Sequence, residues 1–404
     1  MYTIKWFNVK TKTLSFNLDQ NQSNPASMVT TADDYTASLS KNDIVDFTWA
    51  YPCLVKIQNN QIVDEKKLMK TNLQKLEDWT DASSLTHDWD YDVMVKFPRR
   101  WYKIDWTKFY LTDDPNADWF CYAPFQRLVS WTLWASWAVY SNSSAFYIWA
   151  YQWINSSWLR SWYWKTPTAS QTIWAFAWYA QTRWTNAWIE EFLQYFYLEL
   201  LFLAIFKNTN AQFVLARWYV DWSWSSYPWT TWNTAGLVGS TTLSWQVDGC
   251  YWVSNWTTAM SFLWIEDRYW RHWHWINGWW QDSNWVHISI PNSDWSNRTS
   301  SYSYAPTWNT NIWSISPSSW SYITKTKFTT YGGFTPITTW GSETTYFTDY
   351  ARRTSGSRVA VFGGGWSDGA LCGAFYWDLA DDASNSNAYI GAHLMFLPNG
   401  DLTL

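Results

Sequence analysis

AWIEEFLQYFYLELLFLAIFK, residues Ala187–Lys207, is the stretch on which the fold turns. Ile189, Phe192, Leu193, Phe196, Leu200, Leu203 and Phe206 recur three or four residues apart, the period of one helix face. The spacing predicts a helix that packs this stripe into a core. Its most apolar part, Leu198–Phe206, falls well short of the roughly 20 residues that a bilayer crossing needs. A second helix is expected just upstream, in SQTIWAFAWYAQTR, with Ser170 as its N-cap and Pro167 ahead of it. From about residue 208 onward the helical period vanishes, and short strands, turn clusters and Ser/Thr-rich loops follow. Helices placed ahead of a strand- and loop-rich half predict an α+β fold rather than alternating βαβ units.

Residues 1–84 read as a small β-rich N-terminal region, a candidate attachment segment. YTIKWF and IVDFTWAYPCLVKI look like strands, and DEKKLMKTNLQKLEDW like one helix or a long loop. The main domain is expected over 85–404. VMVKFPRRWYKI there predicts a strand pair or one long strand broken near Pro98, and Phe146–Tyr151 a further strand. A long loop insertion is expected near 285–350, where Pro291–Thr330 is low in complexity.

Composition is anomalous in two ways. The 404 residues include 41 Trp but only 15 Gly, where average usage would give roughly 28 Gly. The Trp residues stand where Gly usually stands. VDWSWSSYPWTTWNTAGLVGS, Val220–Ser240, becomes an ordinary Gly/Ser loop when each Trp is read as Gly. Asp-Trp occurs at Asp78-Trp79, Asp88-Trp89, Asp105-Trp106, Asp118-Trp119, Asp221-Trp222 and Asp294-Trp295, and Asn-Trp at Asn255-Trp256 and Asn284-Trp285. Asp-Gly and Asn-Gly are the favoured turn dipeptides, because such turns need positive φ. The sequence therefore carries the expectation that most Trp codons are UGA, read as Gly by the source. The literal alternative is a Trp-rich carbohydrate-binding protein. Each Trp would bury about 150–250 Å², so many of the 41 would be left exposed.

Net charge is −5, charged residues make up 15%, and no basic block occurs. This argues against nucleic acid as a partner. The N-terminus lacks the apolar core of a signal peptide, and no membrane insertion is expected. Cys53, Cys121, Cys250 and Cys372 form no C-x-x-C pair, so zinc and redox motifs are absent and long-range disulfides stay open. His272 and His274 form an H-x-H pair without a third ligand pattern, and His87, His287 and His393 read as surface residues. Asp378, Asp381 and Asp382 suit either a Ca²⁺ site or a solvated loop, the solvated loop being favoured. No hydrolase, zinc-protease, Walker or dinucleotide motif is present, and Gly363–Gly365 follows a strand without a helix behind it. No metal, cofactor or catalytic residue is expected.

Two segments carry a family resemblance. WIEDRYWRHWHWING, Trp264–Gly278, resembles the G-I-E-D-x-Y-G-N-x-W-E-W-x-x-G pattern of C-type-lectin-like domains related to formylglycine-generating enzymes. Trp264 and Trp270 fall on Gly there, Trp273 and Trp275 on Trp, while Arg271 replaces Asn and His274 replaces Glu. RVAVFGGGWSDGALCGAFYWDLADDASNSNAYIGAHLMF, Arg358–Phe396, resembles the R-x-x-R-G-G-S-W to I-G-x-R ending of that fold, with Trp366 on a true Trp. Phe362 and His393 stand where the pattern has arginines. The same segment is similar to variable regions of retroelement-diversified proteins, many of them phage tail receptor binders. The resemblance covers about 85–397.

It implies a C-type-lectin-like domain with two helices and a strand- and loop-rich C-terminal half. It also implies a non-enzymatic phage-tail or tail-fibre protein, in the virion or on an extracellular surface. Its partners would be a host cell-surface protein or glycan and other virion tail proteins, with a homo-trimer as one assembly. The ligand-binding positions it implies are Ser367, Asp368, Leu371, Tyr376, Asp378, Asp381, Asp382, Ala388, Tyr389 and His393. Adenine-directed mutagenesis of an AAY codon cannot yield Trp, Lys, Glu, Gln or Met, and none of the ten is one of these. Rival readings are a bacterial surface adhesin of the same fold and an oxidase of the formylglycine-generating type. The oxidase needs reactive cysteines near the C-terminal end, where only Cys372 lies.

Overall fold

The computed structural model describes residues 11–85, 90–131, 138–152, 154–155, 159–162, 166–215, 217, 220–221, 247–252, 260–269, 271–281, 286–289, 307–310, 320–329 and 332–403. Among the described residues, 28 strands stand against six α-helices. The protein is β-rich, which overturns the α+β, C-type-lectin-like arrangement with two helices.

The difference has local causes. DEKKLMKTNLQKLEDW forms no helix: Gln61–Met69 and Asn72–Leu76 are paired strands. The first of them returns from Tyr51–Gln58 through Asn59-Asn60, whose φ values of 51° and 59° make a tight hairpin turn. The two strands are charged and mostly half-buried, so charge density alone hides them. The reverse error sits just before it. IVDFTWAYPCLVKI is a strand only from Tyr51, because Lys41–Thr48 is helical. Ser40 and Asp43 cap that helix reciprocally, with Ser40 N donating to Asp43 at 2.8 Å and Asp43 N to Ser40 Oγ at 3.2 Å. Where a loop insertion is expected near 285–350, the described residues include the strands Val286–Ser289, Thr307–Thr310, Trp320–Lys327 and Thr335–Thr339.

Two large sheets carry the architecture. One has seven antiparallel strands in the order Asn72–Leu76, Gln61–Met69, Tyr51–Gln58, Tyr91–Pro98, Ala145–Trp149, Leu394–Phe396, Ala187–Ile189. It joins residues 51–76 to 91–98 and to the C-terminal end, and one buried cluster runs from Leu14 to Leu397. The other sheet has nine strands. Its central part runs Trp273–Gln281, Arg358–Phe362, Trp377–Leu379, Tyr350–Arg353, with Ile390–Gly391 pairing in parallel to the start of Trp273–Gln281.

The helix foretold by the opening stretch exists as Phe192–Phe206, preceded by the short strand Ala187–Ile189. All fifteen of its residues are buried, not only the stripe. Tyr195 Oη donates to the Ala374 carbonyl at 2.7 Å, and Gln194 donates to the Pro124 carbonyl. Beside it the two sheets are tied: Asn277 N donates to the Glu190 carbonyl at 3.0 Å, and Glu190 N to the His393 carbonyl at 2.9 Å. The second expected helix runs Ile173–Arg183 and is capped by Thr172, whose hydroxyl accepts from Ala175 N, not by Ser170. Among the described residues, no helix is long and apolar enough to cross a membrane. All four cysteines are free thiols.

Candidate functional site

The strands Arg358–Phe362 and Trp377–Leu379, with the Ile390–Gly391 bridge, position two loops. The first loop spans residues 363–376 and the second 380–389. Antiparallel pairing of Val361 with Asp378 and of Phe362 with Trp377 fixes their roots, and Trp377–Leu379 also runs parallel to Tyr350–Arg353.

Trp273 lies between the loops. Its indole Nε1 donates to Asp368, whose carboxylate also accepts from Gly365 N at 2.7 Å, closing the first loop on itself. The Trp273 ring stacks edge-on to Tyr389 at 4.9 Å between centroids, and Tyr376 follows at 6.0 Å. Trp273 N donates to the Tyr389 carbonyl at 2.8 Å, which pins the end of the second loop.

Three carboxylates, Asp368, Asp381 and Asp382, lie on the two loops, and Asp378 is buried at the root of the second. Burial first, then the nearby Asp381, pushes the Asp378 carboxyl up to about 7, against the pull of Arg352. The Arg352 guanidinium lies 3.5 Å away. Burial likewise raises Asp381 and Asp368. Asp382 is the exception: hydrogen bonds from the Ser384 hydroxyl and backbone hold it below the usual carboxylate range. Arg358 sits 4.0 Å from it. Asn385 donates to Asp381. The loops thus present a half-open acidic surface with two arginines at its edge.

The ten implied positions divide by exposure. Asp382 and Ala388 are exposed, and Ser367, Asp368, Leu371, Asp381 and Tyr389 are half-buried. Tyr376, Asp378 and His393 are buried. His393 is no surface residue. Its Nδ1 lies 3.1 Å from the Trp149 carbonyl and its ring 4.8 Å from that of His274, and burial drives its imidazole down to about 3. His272 and His274 are sealed in the same region, His274 with Gln152 at 2.9 Å. Among the described residues, no three His, Cys, Asp or Glu side chains come together as metal ligands. His87 and Trp270 lie outside the described residues, as do Trp222 and Trp224 and the side chain of His287.

Sequence reasoning missed Arg352 and Arg358 as members of this surface. The Arg352-Arg353 pair and the Arg at the start of VAVF were visible, but only the pairing of Tyr350–Arg353 with Trp377–Leu379 brings Arg352 to Asp378. Two clefts open elsewhere. One of about 640 Å³ is lined by residues that include Tyr51, Lys67 and Lys96, and one of about 810 Å³ by residues that include Gln20, Asn21 and Lys325. None of the ten positions lines either. No known family model and no curated protein sequence matches this chain.

Proposed function

We propose that the protein is a non-enzymatic receptor binder of a phage tail or tail fibre. It engages a host cell-surface protein or glycan through the loops at 363–376 and 380–389. The observation that carries this reading is the division of labour within the segment. Seven of the ten positions reach solvent on loops, while their roots are held by strands and by the Trp273 contacts. Side chains on such loops can change without disturbing the core beneath them. Tyr389 offers amphipathic contact at low entropic cost, and Asp381 and Asp382 offer polar contacts. Tyr376, Asp378 and His393 support the loops from below instead of touching a ligand. The state of Cys372 also favours binding over oxidase chemistry. Burial drives its thiol well above the ordinary value, away from the thiolate that a reactive cysteine needs.

The test is adsorption of the purified protein to a panel of bacterial cells and isolated envelope glycans. On the surface that binds, Asp381→Ala and Asp382→Ala should each weaken affinity about tenfold or more, which is about 1.4 kcal/mol, with the melting temperature nearly unchanged. Equal binding by both variants sinks the reading, and so does loss of binding that simply follows loss of fold.

A further inference from the structure

Six tryptophans occupy backbone that favours glycine. Among the described residues, sixteen non-glycine positions have positive φ, and six of them are Trp: Trp49, Trp79, Trp106, Trp119, Trp264 and Trp340. A bulky side chain is a genuine outlier in that region, whereas glycine enters it freely. Chance does not explain a bias toward one bulky residue type, because the left-handed exceptions that proteins tolerate are mostly Asn and Asp.

The local settings are those in which glycine is the standard choice. Trp49 follows the helix Lys41–Thr48 in a left-handed conformation with φ 53°, its N–H returning to the Asp46 carbonyl at 3.1 Å. That is the helix-terminating position where glycine is most enriched. Trp106 opens the two-residue loop between Trp101–Asp105 and Lys108–Thr112, where Asp105 pairs with Lys108 and φ is 50°. A positive φ at the first loop position alone is the glycine signature of one tight hairpin type. Trp264 is the second residue of the turn between Met260–Phe262 and Ile265–Glu266, after Leu263, with φ 48° and then 63°. Trp79 and Trp119 each follow an Asp, with φ 70° and 66°. Trp340 precedes Gly341 with φ 108°, beyond the small left-handed well that other residues visit.

Exposure points the same way at five of the six, Trp264 being buried. Trp106 is 92% exposed, Trp119 and Trp340 88%, and Trp49 and Trp79 68%. These indoles gain no core from their strained backbone. Trp273 and Trp275 behave oppositely: both lie in a strand, both are buried, and their indole nitrogens donate to Asp368 and to the Gln171 carbonyl.

We infer that the natural residue at positions 49, 79, 106, 119, 264 and 340 is glycine, encoded by UGA and read as glycine by the source organism, whereas Trp273 and Trp275 are true tryptophans. The inference stands apart from the receptor-binding proposal and survives its failure.

The gene decides first. UGA is expected at all six codons and UGG at 273 and 275, and peptides of the protein isolated from its source should carry glycine masses at the six. A UGG codon or a tryptophan mass at any of the six overturns the assignment there. A folding arm is independent of the gene. The chain carrying W49G, W79G, W106G, W119G and W340G should melt higher and aggregate less than the chain with tryptophan, while W273G/W275G should melt lower. A fall in melting temperature for the five-fold variant overturns the inference. Trp264 is left out of that variant because its buried indole, hydrogen-bonded to the Lys70 carbonyl, would leave a cavity and confuse the reading.

Discussion

Two groups of charges in this protein show opposite uses of the same residue types. Arg268 is sealed beside the Phe192–Phe206 helix, 2.7 Å from Glu190 and 3.7 Å from Glu199, with all three side chains essentially inaccessible. Arg352 and Arg358 stand at the half-open loop surface, 3.5 Å from Asp378 and 4.0 Å from Asp382. A sealed charge has no water to fall back on, so its partners are obligatory. The Arg358–Asp382 pair at the loops can exchange its partner for water at small cost, whereas Asp378 is itself buried beneath them.

The largest expected effect follows from the sealed group. Arg268→Met leaves Glu190 unpaired and Glu199 without its cation. Burial already pushes the Glu199 carboxyl well above its usual range, against the pull of Arg268. Breaking a buried pair by removing one partner costs about 3–5 kcal/mol, and urea unfolding of the variant should show a loss of that order. A loss under about 1 kcal/mol, the range of exposed pairs, would break the distinction between the two groups. Adding Glu190→Gln and Glu199→Gln to the variant should recover part of the loss.

How much of this was legible from the chain differs between the two regions. The apolar helix was legible because its stripe is long and strongly periodic, yet the burial of Gln194, Tyr195 and Glu199 was not. Their partners, Pro124, Ala374 and Arg268, come from distant segments. The break near Pro98 is present, but Tyr91–Pro98 and Trp101–Asp105 lie in different sheets and pair with other strands. The Lys/Glu-rich hairpin at 61–76 was missed because its strands are half-buried and charged, with neither a clean alternation nor a helical period. At the loops, sequence spacing put Asp378, Asp381 and Asp382 in one short segment. It could not tell Asp378 from Asp382, which differ by four residues and by complete burial against exposure. That difference is set by pairing with Tyr350–Arg353, a non-local fact.

A middle-sized effect sharpens the comparison by pH. His393 is sealed among the Trp149 carbonyl, His274 and, further off, Arg268, and burial followed by Arg268 holds its imidazole near about 3 against an ordinary 6.5. Between those values the unfolded chain takes up a proton that the folded chain refuses, so this group destabilises the fold as pH falls below 6.5. The buried carboxyls, Asp378 among them, act in the opposite sense over the same range and keep their protons only when folded. The whole-protein curve therefore mixes the two, but His393→Gln removes one contribution cleanly. The gap in unfolding free energy between His393→Gln and the parent should shrink on acidification by about 1.4 kcal/mol per pH unit below 6.5. A constant gap from pH 7 to pH 5 would mean that His393 is not held neutral.

The smallest stability effect belongs to Asp382, and it is the one that tests whether the loop charges are free. Its carboxylate is held down by Ser384 and lies at the limit of reach of Arg358. Asp382→Asn keeps the size of the group and its ability to accept from Ser384 N, and removes only the charge. Exposed ion pairs contribute about 0–1 kcal/mol, so the melting curve of Asp382→Asn should nearly overlay that of the parent, and the small difference should vanish at high salt. Receptor binding is the more sensitive readout. If Asp382 meets a ligand, the same substitution lowers affinity while stability stays level, and the loop charge serves recognition alone. A stability loss as large as that of Arg268→Met would instead make the loop part of the scaffold, and the two charge groups would no longer be of different kinds.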